Sequence, residues 1–388
     1  MASEPLPASR GWFSRVNDFF FRPIDSATFG LIRICAGFII LYVHLAYFLD
    51  LQVLFGPGAW YDLRTANEFR YNIPVEKPQM AWGPDLARLP PPETQEEEQA
   101  LLDYQRRWGA DPRFLFARGQ TIWSAWLHVT DPVTMKYVHA GIVLAMALFM
   151  LGLWTPVTGA VSWAGALSYV NRSHVTLFGM DTIAIILLFY LMLGYLPTRP
   201  AARALSLDRL LWRRRHPADD PDPSSTAIAF ATRLMQVNFC IIYLGSGLSK
   251  LLGPAWWNGT ALWAIIANYE FAPMHLQFYL DGLTWLSRHR WLCETVVTGG
   301  VVYTLALELS FPILVWLKSW RPIMVAGAIL FHAGIALIMG LTAFSLLMIF
   351  LVTAFIPPER IRRLLGLAEA PAPAAALDAA PAVSQPAA

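Results

Sequence analysis

Lysine, histidine and glutamate side chains lie within or beside long apolar stretches of this 388-residue chain. An ionisable group at membrane depth costs about 2.5–3.5 kcal/mol on insertion scales, so it usually faces a bundle interior or a wet cavity. Four such groups stand out, and they are Lys250, His174, Glu308 and His332. An amine, two imidazoles and a carboxyl group are the side chains that move protons, so they indicate acid–base chemistry.

Lys250 lies at the end of an apolar stretch and follows a run of small residues. Gly245 and Gly247 precede it and allow a neighbouring helix to approach closely, whereas Trp256 and Trp257 follow it. Burial in such a setting disfavours the charged ammonium, and a neutral amine is a usable base. The alternative is a snorkelling lysine whose ammonium reaches the lipid headgroups.

The two histidines differ in their sequence surroundings. His174 lies in a turn that starts at Asn171, and Asp181 nearby favours a polar cluster there. His332 lies in the middle of an apolar stretch beside small residues, where burial favours the neutral imidazole that donates and accepts hydrogen bonds together. The alternative for His174 is a solvated turn at the membrane interface.

Glu308 lies between two leucines, with Pro312 four residues further on. It either handles protons or, in neutral form, donates a hydrogen bond to a neighbouring helix. The candidates for a catalytic role are Lys250, His174 and His332. We predict the ligand-contacting residues Asn171, Trp256, Trp257, Asn258 and Glu308.

The elements that must position these groups are transmembrane helices. Hydrophobic residues make up 56% of the chain and charged residues 14%, against about 25% charged in soluble domains, and a span needs about 20 apolar residues. The sequence therefore predicts an all-α, polytopic membrane helix bundle of about eight spans. The predicted spans are Ala27–Phe48, Val133–Trp154, Thr158–Val170, Val175–Leu196, Thr226–Leu248, Trp291–Leu317, Pro322–Met339 and Leu341–Ile356.

Arginine positions predict the orientation of the bundle, because short cytoplasmic loops collect Lys and Arg. A cytoplasmic N-terminus places the basic clusters 203–215, 318–321 and 360–363 in the cytoplasm. Both termini are then cytoplasmic, and the long segments 50–131 and 254–290 are extracytoplasmic. The high Ala, Arg and Pro content favours a bacterium, so we expect the bacterial inner membrane.

Three regions are expected along the chain. Residues 1–25 form a polar N-terminal segment that lacks the pattern of a cleaved signal peptide. Residues 26–365 form the transmembrane domain, and residues 366–388 form an Ala/Pro-rich tail that should be disordered.

Several function classes have no support in the sequence. The net charge of +2 is too near neutral to suggest nucleic acid. The three cysteines form no CxxC pair and the histidines are scattered, so no metal site is predicted. Nucleotide-binding glycine motifs, HExxH and GxSxG are missing as well. The expected partners are the lipid bilayer and a possible secreted peptide or protein substrate.

Four short motifs, in order along residues 17–365, resemble the HTTM membrane-domain family, whose characterised type is the vitamin K-dependent gamma-glutamyl carboxylase. Phe20-Phe-Arg-Pro-Ile-Asp25 resembles the family's entry motif, and Gly247-Leu-Ser-Lys250-Leu resembles the segment with its catalytic lysine. The segment 171–179 is similar to the one with its active-site histidine, and Phe331-His332 is another matching position. The carboxylase has two adjacent lysines where this chain has Ser249-Lys250.

The resemblance implies a reaction. In that family the lysine deprotonates a reduced naphthoquinone, oxygen adds, and the strong base so formed takes a proton from a glutamate γ-carbon that then captures CO2. Lys250 would be the base and His174 would stabilise developing charge. The implied cofactor is a reduced naphthoquinone, similar to vitamin K or menaquinol, entering from the lipid between helices.

Three functions remain open on the sequence. The first is a quinol-linked enzyme, a lyase or oxidoreductase similar to a carboxylase or epoxidase, with Lys250 as base. The second is a non-catalytic membrane factor that exports, matures or protects a secreted peptide. The third is a transporter, against which stands the lack of a clear inverted repeat or of matched broken helices.

Overall fold

A computed structural model describes residues 11–71, 94–108, 123–217, 223–268 and 276–368. Parts of both predicted extracytoplasmic segments and nearly all of the predicted tail lie outside these ranges. The first nine helices are α1 (Trp12–Phe21), α2 (Ala27–Tyr47), α3 (Leu51–Phe55), α4 (Leu63–Tyr71), α5 (Gln95–Trp108), α6 (Pro132–Leu151), α7 (Thr155–Arg172), α8 (Gly179–Tyr195) and α9 (Leu207–Arg215). The next eight are α10 (Thr226–Leu251), α11 (Pro254–Trp257), α12 (Ala261–Ile266), α13 (Gln277–Arg288), α14 (Arg290–Leu314), α15 (Arg321–Met339), α16 (Thr342–Val352) and α17 (Pro358–Leu364).

Each of the eight predicted spans overlaps a helix, and the described residues contain five helices, or six with one bent pair, that are long and apolar enough to cross a membrane. Within the described ranges, α2, α6, α10, α14 and α15 are long and apolar enough to cross a membrane. The helical stretch Thr342–Phe355 and α17 pass the same test together, but they are bent by 117°. Helix α8 is apolar and shorter, with 17 residues, and α7 is longer than the predicted third span. The architecture is therefore the all-α membrane bundle that the sequence predicts.

The chain divides into two compact units. The first consists of Met1–Gly37, Leu148–Val157 and Phe189–Ala388, and the second of Phe38–Ala147 and Thr158–Leu188. The dividing points fall within α2, α6, α7 and α8.

Helix α10 of the first unit begins and ends at clear local signals. Ser225 caps its start by accepting a hydrogen bond from the backbone N–H of Ile228 through its side-chain oxygen. The helix ends at Leu251, and Pro254 starts the next helix, as the Gly253-Pro254 pair predicts. Ser225 also pairs with Ile24 where the two-residue strands β1 (Ile24–Asp25) and β2 (Ser224–Ser225) run antiparallel.

Helices α10 and α14 approach closely at a glycine. A Cβ atom added to Gly247 would lie 2.8 Å from Cδ2 of Leu309 and 3.3 Å from Cβ of Glu308. The expected close approach is therefore confirmed at Gly247. At Gly245 a Cβ would meet no atom within 4 Å, so that glycine does not set the packing distance.

An aromatic cluster in the first unit packs side chains of α10, α14 and the 3₁₀ turn after α16 together. The ring of Phe239 lies 4.6 Å from that of Tyr243 and 5.1 Å from that of Phe311. Phe355 closes the cluster, with its ring centroid 5.4 Å from that of Phe311. All four side chains are buried, so Tyr243 is held by rings on several sides.

A carboxylate joins the α6–α7 turn to α9. The buried side chain of Asp208 accepts hydrogen bonds from the backbone N–H groups of Trp154 and Thr155 at 2.8 Å and 3.0 Å. It also accepts one from Oγ1 of Thr155 at 2.6 Å, and it pairs with Nη1 of Arg203 at 2.6 Å. These bonds satisfy helix-end donors that burial would otherwise leave without partners.

The two ends of the described chain meet in the first unit. Nε of Arg362, on α17, lies 2.7 Å from Oδ2 of Asp25 on β1, and both side chains are largely buried. The other oxygen of Asp25 accepts a hydrogen bond from the backbone N–H of Ala27 at the start of α2. The sharp bend before α17 places Arg362 in this contact.

The second unit is built around Tyr169 of α7. The Tyr169 hydroxyl lies 2.6 Å from Nδ1 of His139, and its ring packs against those of His44, Phe55 and Trp126 at 4.9 to 5.1 Å. All five residues are buried. The packing of these side chains defines the core of the second unit.

Candidate functional site

One face of α10 carries the polar side chains of the candidate site. Tyr243, Ser246, Gly247 and Lys250 follow the three- and four-residue spacing that places side chains on one side of a helix. This face meets α14, where Glu308 lies one turn before Phe311. The approach at Gly247 brings the two backbones near enough for Lys250 and Glu308 to meet.

Lys250 and Glu308 form an ion pair. Nζ of Lys250 lies 2.7 Å from Oε1 of Glu308 and donates a second hydrogen bond to Oγ of Ser246 at 2.6 Å. Ser246 in turn donates to Oε1 of Glu308 at 3.0 Å. The Lys250 side chain is 20% exposed and that of Glu308 is 4% exposed, so the amine lies between the carboxylate and open space.

The carboxylate of Glu308 is used on one side only. Oε1 accepts two hydrogen bonds, whereas Oε2 is buried and has no hydrogen-bond partner among the described residues. A buried acceptor without a donor is costly. Pro312 follows Glu308 by four residues and lacks the N–H that would bond the Glu308 carbonyl.

The tryptophans after α10 lie in different places. Nζ of Lys250 lies 5.4 Å from the ring centroid of Trp256, which is a cation–π distance. Trp257 is 72% exposed and donates from Nε1 to the carbonyl of Leu251. Asn258 accepts two hydrogen bonds from Thr260. Only Trp256 of these three lines the cavity beside Lys250.

His332, on α15, forms a second polar contact in the first unit. Its Nε2 lies 3.0 Å from the hydroxyl of Tyr243, and both residues are buried. Its Nδ1 has no hydrogen-bond partner among the residues that the structure describes. Tyr243 therefore connects the α10 face to the mid-span histidine.

A cavity of about 430 Å³ brings these groups together. Its lining is mostly apolar, and α12, α15 and α16 contribute Leu262, Ile335 and Phe344. Lys250 and Glu308 belong to the same lining, as do Ser246, Trp256, Tyr243 and His332. An apolar space with a few convergent polar groups is the usual form of a small-molecule site.

The other two predicted site residues belong to the second unit. His174 lies in a short 3₁₀ turn, with its ring 5.6 Å from that of Tyr61. Burial lowers the pKa of His174, and the Asn171 backbone contact partly opposes this shift. The side chain of Asn171 donates to the carbonyl of Trp123 at 2.7 Å. The roles predicted for these two residues stay predictions.

Ser246 and Tyr243 are site residues that the sequence analysis did not select. Both lie on the face of α10 that carries Lys250, four and seven residues before it. Helical spacing from Lys250 could have identified them. Within the described ranges, no group of three or more His, Cys, Asp or Glu side chains could hold a metal ion.

Comparison with protein-family models matches the HTTM domain to residues 94–359, which is more than half of the chain. Comparison with curated proteins and comparison with solved structures find no match. The closer resemblance to the gamma-glutamyl carboxylase therefore stays an expectation. With its apolar helices, this chain is a polytopic membrane protein that belongs to the HTTM domain family.

Proposed function

We propose that this protein is a membrane enzyme that binds a lipid-soluble hydroquinone in the cavity of the first unit, with Lys250 as the base. The observation that carries the proposal is the Lys250–Glu308 ion pair at the wall of an apolar cavity. A charged pair is expensive to hold in apolar surroundings. A site that moves a proton has a use for such a pair, since either partner can hold the proton.

The cavity suits a reduced naphthoquinone. Its volume falls within the range of about 300–1,000 Å³ that is usual for small-molecule sites. Leu262 and Phe344 would contact the rings, and Nζ of Lys250, in the more exposed side chain of the ion pair, would contact a hydroxyl group. When bound, the hydroquinone would supply a weakly acidic hydroxyl and two reducing equivalents.

The chain's own contribution is to make Lys250 a base. The 2.7 Å hydrogen bond from Nζ to Oε1 of Glu308 gives a path along which a proton can move from the amine to the carboxylate. The neutral amine then has a lone pair with which to accept a proton in the cavity. Ser246 keeps Nζ in place, because it accepts from the amine and donates to Oε1.

Entry from the hydrocarbon is supported by the rim of the cavity. Leu330 is 67% exposed, and Tyr303 and Ile338 are also exposed, although all three line the cavity. In a bilayer such side chains face lipid. A hydroquinone with an apolar tail could therefore reach the cavity without crossing water.

A non-catalytic membrane factor is the second candidate function. The same ion pair ties α10 to α14, which is what a purely structural lysine would do, since buried charges are normally paired. In this alternative the exposed Trp257 and the polar segments 50–131 and 254–290 would contact a secreted peptide. Lys250→Ala would then be tolerated, whereas substitutions at Trp256 and Trp257 would not.

We also propose a bacterial inner-membrane location with both termini cytoplasmic. The supporting observation is charge: α9 ends in Arg213-Arg214-Arg215, and α17 carries Arg360, Arg362 and Arg363. Cytoplasmic loops collect such residues. Cysteine labelling of full-length protein at the exposed positions 214 and 363 in intact and opened cells tests the orientation, which is wrong if intact cells are labelled.

Native mass spectrometry of the full chain, purified with bound lipid and then supplied with a reduced menaquinone analogue, tests the hydroquinone site. We expect the wild type to retain one quinone and Lys250→Ala to lose it. Lys318→Ala removes an exposed lysine outside the cavity and should retain the quinone. If Lys250→Ala unfolds, Gly334→Leu serves instead, because a side chain there enters open space in the cavity wall.

A wild-type protein that binds no quinone overturns the proposal. Lys250→Ala and Gly334→Leu proteins that both retain the quinone at the wild-type level overturn it as well. Loss from the cavity variants with retention in Lys318→Ala supports it. Quinone retention together with unchanged binding of a secreted peptide in Lys250→Ala would favour the non-catalytic alternative for the amine.

A further inference from the structure

A second cavity, of about 600 Å³, opens in the first unit where α6 ends and α9 begins. It differs from the hydroquinone cavity in having an apolar wall and an arginine-bearing wall. We propose that this groove holds one anionic phospholipid, with its phosphate against the arginines of α9 and an acyl chain along the spans.

The apolar wall reaches into the hydrocarbon level. Ile34 on α2 and Met150 and Leu151 at the end of α6 line it. Ile34 lies seven residues after the first residue of α2, which is about 10 Å along the helix at 1.5 Å per residue. A Cβ on Gly37 would lie 3.1 Å from Cβ of Met150, so α2 and α6 pack closely beside the groove and close it on that side.

The basic wall is the last turns of α9. Arg209 and Arg213 line the groove, and Arg214 and Arg215 follow on the same helix. Leu210 lines the groove too and is 47% exposed. Exposed leucine beside an arginine run is the composition of a helix that lies at a membrane surface.

Arg213 gives the groove positive charge. Arg362 also lines it, but its guanidinium is engaged by Asp25. Asp208, the acidic residue of α9, faces away into its contacts with Thr155 and Arg203. A phosphate group matches the charge and hydrogen-bonding geometry of Arg213.

Two other occupants are possible outcomes of the test. Asp219, Asp220 and Asp222 follow α9 in the sequence and lie outside the described ranges, so they could pair with the arginines. The tail 369–388 follows Ala368, which lines the groove. Variants of both segments therefore belong in the experiment.

The experiment uses delipidated full-length protein in detergent and counts bound lipids by native mass spectrometry. Phosphatidylglycerol and phosphatidylcholine with identical acyl chains are the probes. We expect one tightly retained phosphatidylglycerol and a preference for it over phosphatidylcholine that falls about fivefold for each arginine removed. Arg209→Gln with Arg213→Gln removes both α9 arginines that line the groove and should abolish the preference.

Two controls separate the groove from general surface charge. Arg360→Gln with Arg363→Gln removes exposed charge that does not line the groove and should leave the preference unchanged. Leu151→Trp places bulk in the groove and should displace the lipid, whereas Leu144→Trp, at an exposed position of α6 outside the groove, should not.

Equal retention of both lipids by the wild type overturns the proposal. The proposal is also overturned if phosphatidylglycerol is retained only after Asp219, Asp220 and Asp222 are changed to Asn, or only after the chain is ended at Ala368, because the groove would then be filled by that segment in the wild type. Lys250→Ala should leave this lipid in place, so a failure here and a failure of the hydroquinone site are distinguishable.

Discussion

Lys250 and Glu308 share a hydrogen bond of 2.7 Å in which the carboxylate is the more buried partner. Because Ser246 and Lys250 both donate to Oε1, that oxygen is saturated while Oε2 has no partner among the described residues. A ligand in the cavity meets Nζ before it meets the carboxylate. The amine is therefore the more accessible partner of the pair, and the carboxylate is the deeper one.

Substitutions of Lys250 and Glu308 should have strongly non-additive effects on the stability of the protein. Lys250→Met leaves the Glu308 carboxylate buried without its cation, and removing one partner of a buried pair costs roughly 3–5 kcal/mol. Lys250→Met with Glu308→Leu removes both charges and should cost less than Lys250→Met alone. Thermal unfolding of the detergent-solubilised protein measures this. A double variant that is less stable than either single variant would contradict it.

Gly247 and Gly245 form a matched pair of positions on one helix. Gly247→Ala should be destabilising because its Cβ would lie 2.8 Å from Leu309, which pushes α14 away and lengthens the Lys250–Glu308 contact. Gly245→Ala meets open space and should gain up to about 1 kcal/mol of helix propensity. Melting temperatures of the two variants should move in opposite directions, and equal shifts would disprove the assignment.

The membrane helices could be predicted because apolar length is a local property. Residues 27–48 and 226–248 were bounded to within a few residues by charge and by the Gly253-Pro254 pair. The bend of 117° before α17 was not predicted. It accompanies the contact between Arg362 and Asp25, which are 337 residues apart in the sequence, so no local pattern reveals it. The division into two units was not predicted either, because it depends on contacts between residues that are far apart in the sequence.

The candidate site could be predicted in part. Lys250, Glu308, Trp256 and His332 were selected as costly or unusual residues, and the structure places them around one cavity. Their partnership could not be predicted, because it depends on the register of α10 against α14. That register is set by side-chain packing around Gly247, which one sequence does not display.

Asp208 should make stability depend on pH. Burial opposes ionisation, but the bonds from Thr155, Trp154 and Arg203 outweigh it and hold the Asp208 pKa below its ordinary 3.8. A carboxyl group whose pKa is lower when folded contributes stability above about pH 4 and loses it as the pH falls through the folded pKa. The melting temperature of Asp208→Asn should therefore lie below that of wild type at pH 7, and the two should converge as the pH falls through the folded pKa.

The exposed Asp281→Asn provides the control for this experiment, and its difference from wild type should be small at every pH. A constant gap between wild type and Asp208→Asn across the pH range would show that Asp208 acts by shape rather than by charge.

The hydroxyl group of Tyr169 should stabilise the second unit through its contact with His139. Tyr169→Phe leaves Nδ1 of His139 without its 2.6 Å contact, and Nε2 already lacks a partner among the described residues. A buried polar group without a partner costs about 1–3 kcal/mol. Unfolding should show this loss, a partial recovery on adding His139→Leu, and almost no change for the exposed Tyr42→Phe. An unchanged Tyr169→Phe protein would disprove the role of this bond.

The contact between Asp25 and Arg362 has a consequence for biogenesis. Asp25 stands before the first span and Arg362 after the last, so the ribosome has made nearly the whole chain before the pair can form. Until then Oδ2 of Asp25 lacks its guanidinium partner. A chain that ends before residue 362 therefore lacks the ion pair between Asp25 and Arg362.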